Sequence, residues 1–282
     1  MLTVAYLGPE HTNTHLAAQK RFGRQARYVH APTVEDVFRL VERRQADDGV
    51  VPVENSLEGA VTHTLDRFID FRDSPARIVG EVEVPIQHYL IAPPGVRLSQ
   101  LQAVYSHPQA LAQCRRWLRA HLARDIVLLE MSSTAEAVEA MVNHSRLHPA
   151  ASLQHIAAIG RQEAARAHHL HASPITDDRE NKTRFLMISL RRPQRGRRNK
   201  TSLLFALKDR PGALYDALTP FKRERINLSK IESRPSKQKA WEYFFFIDFT
   251  GFESEPRVQR ALKALKASTT FLRVLGSYPV TR

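Results

Sequence analysis

The sequence predicts an α/β fold followed by a smaller α+β unit, and three observations carry that prediction. Short apolar strands alternate with amphipathic helices up to about residue 190. The run RRPQRGRRNK (191–200) then interrupts the pattern with six basic residues, no acidic one, and Pro and Gly between them, which reads as a linker. Beyond it the order becomes strand, helix, strand, strand, helix, strand within about eighty residues, the ferredoxin-like arrangement.

In the first part, LTVAYLG (2–8) is a short apolar strand, followed by a helical stretch over 12–22. GVVPV (49–53) precedes the amphipathic AVTHTLDRFIDF, and AVYS (103–106) precedes PQALAQCRRWLRAHL, where Pro108 is pre-set for a first helical turn. DIVLLEM (125–131) leads into STAEAVEAMVNH, in which Glu136, three residues after Ser133, makes a capping box. FLMISL (185–190) ends this part as a buried strand. Strand followed by helix, several times over, implies a largely parallel sheet with helices on its faces. Ligands of such sheets bind beyond the carboxyl ends of the strands. Polar motifs fall at those ends: GPEHTNT, ENSLEG, SHPQ and SST.

After the linker, TSLLFALKD (201–209) reads as strand and PGALYDALTPFKRER as helix with proline at its start. INLSKIESRP and KAWEYFFFIDFTG are two further strands, EPRVQRALKALKAS a helix and FLRVLGSYP the last strand.

At 282 residues, with 43% apolar and 25% charged residues, the chain is of ordinary globular composition and long enough for two domains. No apolar run approaches the ~20 residues of a membrane span, and the beginning lacks the pattern of a signal peptide, so a cytoplasmic protein that does not engage a membrane is expected. The single cysteine, Cys114, lies at helical spacing with Leu111 and Leu118 and reads as a buried structural thiol. The 13 histidines include no metal-binding motif, HHLH (168–171) reads as a solvated helix end, and neither metal nor cofactor is expected. A formal charge of +13 attracts anions, either metabolites or nucleic acid. The basic run lacks interleaved aromatics and sits between domains, which argues against nucleic acid.

Asn55 and Ser56 stand where a strand meets a helix, a place where backbone N–H groups attract carboxylates, and where either side chain also serves as a cap. Ser106 and His107 occupy the next such junction, with His107 able to hold an anion, titrate near neutrality, or cap. Thr64 and Asp66 lie further along the helix after ENSLEG, on faces that cannot both look at one site. NKTRF (181–185) differs, because a strand entrance needs no cap. Alternation sends Thr183 and Phe185 one way and Arg184 the other. Thr183 becomes a neutral donor beside an aromatic wall, and Arg184 pairs with a carboxylate from a ligand or from nearby Glu and Asp.

Taken in order, GPEHT, VPVENSLEGAVTHTLD, SHPQALAQC, STAEA and NKTRFLMI resemble the prephenate dehydratase family over nearly the whole chain. GALYDAL (212–218) and ESRP (232–235) resemble the ACT domain of that family. The resemblance implies a monofunctional, carbon–oxygen lyase converting prephenate to phenylpyruvate in phenylalanine biosynthesis. It also implies a catalytic part (1–192) of two α/β lobes, like a periplasmic binding protein, with the active site in their cleft, a linker (193–200), and an ACT domain (201–282). Thr183 is then the key catalytic residue, with Arg184 and Phe185 beside it. Thr12, Asn55, Ser56, His107 and Asn181 are the expected substrate-binding residues. Gly212, Ala213 and Leu214 line an allosteric phenylalanine site at a dimer interface, which Glu232, Ser233, Arg234 and Pro235 couple to the lobes, in a homodimer or homotetramer.

The first loop departs from the family's G-P-x-G-T-F-S, with His11 in place of a glycine and Asn13 in place of an aromatic. Glycine accepts a positive φ that histidine tolerates less easily, so the loop's conformation and Thr12's role stay open. Arogenate dehydration, or aromatic-acid binding without turnover on the same fold, are the alternatives.

Overall fold

The computed structural model describes residues 1–147, 155–178, 180–237 and 241–280. The chain begins β1 (Thr3–Leu7), α1 (Asn13–Phe22), β2 (Arg27–Ala31), α2 (Val34–Glu42), β3 (Asp48–Asn55), β4 (Gly59–Ala60), α3 (Thr62–Asp70) and β5 (Arg77–Pro85). It continues with β6 (Tyr89–Ala92), β7 (Ala103–Ser106), α4 (Pro108–Gln113), α5 (Arg115–His121), β8 (Val127–Glu130), α6 (Thr134–Leu147), β9 (Ile156–Gly160), α7 (Gln162–Ala167) and β10 (His171–Pro174). It ends with β11 (Lys182–Ser189), β12 (Asn199–Leu207), α8 (Ala213–Arg223), β13 (Leu228–Pro235), β14 (Tyr243–Thr250), α9 (Pro256–Ser268) and β15 (Thr269–Pro279). By contacts the chain divides into two compact units, one of 1–7, 17–83 and 184–282, the other of 8–16 and 84–183.

The first unit holds a sheet ordered β2-β1-β3-β11-β5, with β4 hairpinned onto β3 and β1 parallel to both β2 and β3. Helix α2 follows from sequence: Thr33 caps it by accepting from Asp36 N at 3.1 Å, and Val34, Val37, Phe38 and Val41 recur at helical spacing to form its buried stripe. That stripe shares one core with Leu65, Phe68 and Ile69 of α3 and Leu186 and Ile188 of β11.

The same unit contains the antiparallel sheet β13-β14-β12-β15. Its residues alternate between two cores. Leu204, Ala206, Phe244, Phe246, Leu275 and Tyr278 join the core of the first sheet, whereas Leu203, Phe205, Ile247 and Phe249 pack with α8 and α9. Burial on both faces explains why these strands read as continuous apolar runs. Gly276 lies against the backbone of Ile78, where an added Cβ would overlap the Ile78 carbonyl. Gly276→Ala is expected to destabilise the protein by about 1–3 kcal/mol through overpacking, read from the midpoint of urea unfolding.

The second unit holds the sheet β10-β6-β9-β7-β8. One face (Leu90, Val104, Ala157, Ile159) packs on Leu111, Cys114 and Leu118, the other (Ile91, Tyr105, Ala158) on Val138, Met141 and Ala164. Cys114 is fully buried, and burial, followed by the nearby Asp177 charge, pushes its thiol pKa up to about 12, the behaviour of a structural cysteine.

Two expected elements are altered. The helix read over 108–122 breaks at Cys114 into α4 and α5, and the helix after ENSLEG starts only at Thr62. The first two residues of the strand read from Lys239 lie outside the described residues. Seven elements were not read from sequence, β2, α2, β4, β5, β6, β9 and β10, and of α7 only the end at His168 was. Among the described residues no helix is long and apolar enough to cross a membrane.

Candidate active site

The NKTRF segment is pinned on both sides of Thr183. Asn181, 1% exposed, donates from Nδ2 to Gln113 Oε1 at 3.0 Å, and its carbonyl accepts from Ile86 N at 2.8 Å. His88 Nε2 lies 2.7 Å from the same Gln113 oxygen, which makes that nitrogen the donor. These bonds fix the chain where it enters β11. Thr183 is half-buried, and Phe185 is 1% exposed. The expected aromatic wall is therefore an anchor inside the strand's packing.

Arg184 resolves the two alternatives left by sequence in favour of protein carboxylates. Its Nη2 and Nε donate to Glu54 Oε2 at 2.8 and 3.2 Å, and its Nη1 donates to Glu81 at 2.9 Å and to Asp248 at 2.6 Å. Lys200 reaches Glu81 at 2.6 Å and Lys230 reaches Glu54 at 2.9 Å, so three cations face three carboxylates. Burial alone would lower the Arg184 pKa, but the charges of Asp248 and Glu81 reverse this and raise it. Of the two alternatives for Arg184, pairing with nearby Glu and Asp is the one observed in the protein. Nε, Nη1 and Nη2 all donate to these carboxylates.

The loops at the strand ends are ordered by their own side chains. Asn55 Oδ1 accepts from the backbone N–H of Leu57 at 3.0 Å and of Glu58 at 3.2 Å, closing the turn between β3 and β4. Asn55 and Ser56 thus head a hairpin and do not cap α3, which begins six residues later with no side-chain cap. Thr64, further on, donates to the Pro52 carbonyl at 2.5 Å. His11 takes φ 62°, the left-handed conformation a glycine would supply, at a cost of about 1 kcal/mol. Its N–H donates to His15 Nδ1 at 3.1 Å, which requires a neutral His15, and burial of that imidazole lowers its pKa against an opposing pull from Glu10. Thr12 Oγ1 accepts from His15 N at 3.2 Å and donates to the Pro9 carbonyl at 3.0 Å. The loop keeps its turn despite the histidine, and Thr12 serves as the helix cap of α1. His107 caps α4, its Nδ1 accepting from Gln109 N at 3.3 Å. The capping box at 132–136 closes with a shift of one residue: Glu136 N donates to Ser133 Oγ, while the Glu136 carboxylate accepts from Ser132 N.

In the C-terminal sheet, Gly212 is the N-cap of α8 at φ 77°, where a side chain would be strained. Ala213 and Leu214 line a groove of 630 Å³ with Arg210, Glu242, Tyr243 and Phe245. Glu232, Ser233, Arg234 and Pro235 lie on β13, outside that lining, and Arg234 binds Asp66 of α3 at 3.0 Å, with Lys237 adding a contact at 2.7 Å. Burial would raise the Asp66 and Glu54 pKa values, yet lysine and arginine hydrogen bonds and charges outweigh it and hold both below their ordinary 3.8 and 4.5. Depressed carboxylates stabilise the fold above their ordinary pKa and lose that contribution as pH falls through the folded values. The melting temperature is therefore expected to begin falling as pH drops below 4.5, and the fall should be smaller in Asp66→Asn.

Sequence reading missed Glu54, Glu81, Asp248, Lys200 and Lys230, and also Gln113 with His88. One signal was present: an aspartate within FFFIDFT, a charge inside an apolar strand that burial tolerates only when paired.

Polar loops at strand ends of α/β sheets, followed by a βαββαβ sheet with a lined groove, define the class of an α/β enzyme carrying a small ferredoxin-like module. The chain belongs to the prephenate dehydratase family: the family model for prephenate dehydratase matches residues 4–193, and that for the ACT domain matches 201–267. A bifunctional chorismate mutase/prephenate dehydratase of Aquifex aeolicus is 46% identical over 280 residues, 99% of this chain and 74% of that protein. The crystal structure of prephenate dehydratase from Arthrobacter aurescens in complex with L-Phe superposes with a TM-score of 0.86 at 34% identity, over 98% of this chain and 89% of that one. GqqA, a quorum quenching acylase, superposes with a TM-score of 0.82 at 26% identity, over 99% of this chain and 98% of that one.

Proposed function

We propose that the protein dehydrates and decarboxylates prephenate to phenylpyruvate, with Thr183 as the catalytic residue. The observation that carries this reading is the state of Thr183 within a family motif: half-buried, between Asn181 and Arg184, whose side chains are buried and bonded. A residue whose neighbours are bonded on both sides is held in place for a reaction that depends on orientation. In the reaction the ring carboxylate leaves as carbon dioxide, its bonding electrons enter the ring, and hydroxide leaves from the opposite carbon and takes up a proton. Aromaticity drives the change, and the poor leaving group sets the barrier, so a donor aimed at the departing oxygen accelerates the step. The Thr183 hydroxyl hardly ionises and acts by hydrogen bonding or proton relay.

Thr12, Asn55 and His107 shape the loops that receive the substrate, each ordering its own turn, and Ser56 stands exposed at the tip of one of them. Residues 1–192 form the catalytic part and 201–282 the regulatory part. The groove beside Ala213 and Leu214 offers aromatic and aliphatic lining with charges of both signs, as a zwitterionic aromatic amino acid requires, and the Arg234–Asp66 pair connects its sheet to α3. Phenylalanine thus regulates a cytoplasmic homodimer or homotetramer.

Ultraviolet detection of phenylpyruvate from prephenate, beside chromatographic detection of labelled phenylalanine from labelled arogenate, tests the reading, each with and without added unlabelled phenylalanine. Turnover of prephenate that changes with phenylalanine is expected. Turnover of arogenate alone would shift the substrate assignment, and no turnover of either would end the lyase reading. Calorimetric titration is expected to show phenylalanine binding tighter or weaker when a substrate analogue is present; equal affinity would deny the coupling.

A further inference from the structure

We propose that Asp248, on the C-terminal sheet, is a positioning residue for the dehydration and fixes where Thr183 stands through the guanidinium of Arg184. This rests on the reading of Thr183 given above. Asp248 is the one charged residue of the strand YFFFIDFT and is 7% exposed. A carboxylate in such a place is costly unless paired, and both its oxygens are used. Oδ2 accepts from Arg184 Nη1 at 2.6 Å, and Oδ1 accepts from the Ser202 hydroxyl at 2.6 Å, which in turn lies 2.9 Å from the Tyr278 hydroxyl. Tyr278 is fully buried, and burial first, then the charges of Asp248 and Glu81, keep its phenol protonated.

Arg184 is therefore gripped from three strands: β3 through Glu54, β5 through Glu81 and β14 through Asp248. A planar fork paired with three carboxylates at once is anchored in direction, and the Arg184 Cα lies one peptide, about 3.8 Å, from that of Thr183. Thr183 and Arg184 are consecutive residues of β11, so the anchorage of the guanidinium bears on where the threonine stands. A cluster kept for stability alone would serve no better than well-packed apolar residues. Its place, one residue from the reactive hydroxyl, gives it the character of a supporting shell. On this view the C-terminal sheet belongs to the catalytic apparatus even with its groove empty.

The test compares Asp248→Asn with Val258→Ala, a destabilising change on the helix-packed side of the same sheet. In the folded state Asp248→Asn is expected to lower kcat for prephenate about 10-fold or more with KM within about twofold, because misplacement by about 1 Å costs on the order of 10²-fold. Val258→Ala is expected to keep kcat. The methyl resonance of Thr183 in ¹³C NMR of the full chain is expected to move in Asp248→Asn and to stay in Val258→Ala. Ser202→Ala, which keeps every charge and removes only the hydroxyl that holds the aspartate, moves it in the same direction and serves if Asp248→Asn does not fold. An unmoved methyl resonance, or an unchanged kcat, overturns the proposal. A parent chain that turns over neither substrate removes the lyase reading separately, while the resonance still decides whether Asp248 sets the position of Thr183.

Discussion

Thr183→Ala is expected to lower kcat for prephenate by about 10² to 10³-fold, the cost of removing one preorganised donor from a developing oxyanion. Folding should be nearly untouched. The side chain is half-buried, so its truncation opens no large internal cavity, and the bonds that fix its neighbours, Asn181 to Gln113 and Arg184 to Glu54, Glu81 and Asp248, do not include it. The two readouts separate cleanly: urea unfolding with the parent midpoint shows an intact fold, and phenylpyruvate formation reports the chemistry. A variant with parental turnover would remove Thr183 from its role.

Arg184→Ala is expected to cost about 3–5 kcal/mol of stability, the usual penalty for leaving buried charges without their partner. The cluster would keep three carboxylates, Glu54, Glu81 and Asp248, against two lysines, Lys200 and Lys230. Arg184→Lys keeps the charge but cannot reproduce a fork that reaches all three at once, so its loss should be smaller yet clear. Pairing with a ligand carboxylate, the other alternative the sequence leaves for Arg184, would make Arg184→Lys chiefly weaken substrate binding. The observed pairing changes the expectation to lower stability and lower kcat, with KM little altered. Denaturant unfolding beside steady-state kinetics checks this, and a rise in KM alone would restore the substrate contact.

What was legible in sequence was the repeated alternation of apolar runs and amphipathic helices, because periodicity is a local property. The ferredoxin-like order after residue 200 was legible for the same reason, with Asn199 already in β12. Helix α2 was equally available, since Thr33 and the Val34, Val37, Phe38, Val41 stripe meet every local criterion, and its omission was a missed reading of VEDVFRLVE. Strand β5 was harder: RIVGEVEVP places Glu81 and Glu83 among valines, and only tertiary pairing with Arg184 and Lys200 makes Glu81 a buried residue.

The site was legible as motifs and not as contacts. ENS, SHPQ and TRF marked segments at strand ends and a strand entrance, and Asn55, Thr12 and His107 are tied to their own turns. Which carboxylates would claim Arg184 could not be known without the fold, since Asp248 is 64 residues away along the chain. The left-handed His11 shows a related limit. Sequence located the strain, and only the bonds from His11 N to His15 and from His15 N to Thr12 show how the loop bears it.

The most direct measurement is prephenate turnover by Thr183→Ser beside Thr183→Val, both checked for parental unfolding. Serine keeps the hydroxyl and should retain turnover within about 10-fold, whereas valine keeps the shape, loses the donor and should fall by about 10² to 10³-fold. A valine variant as active as the serine variant would contradict a hydroxyl at position 183 as the agent that expels hydroxide.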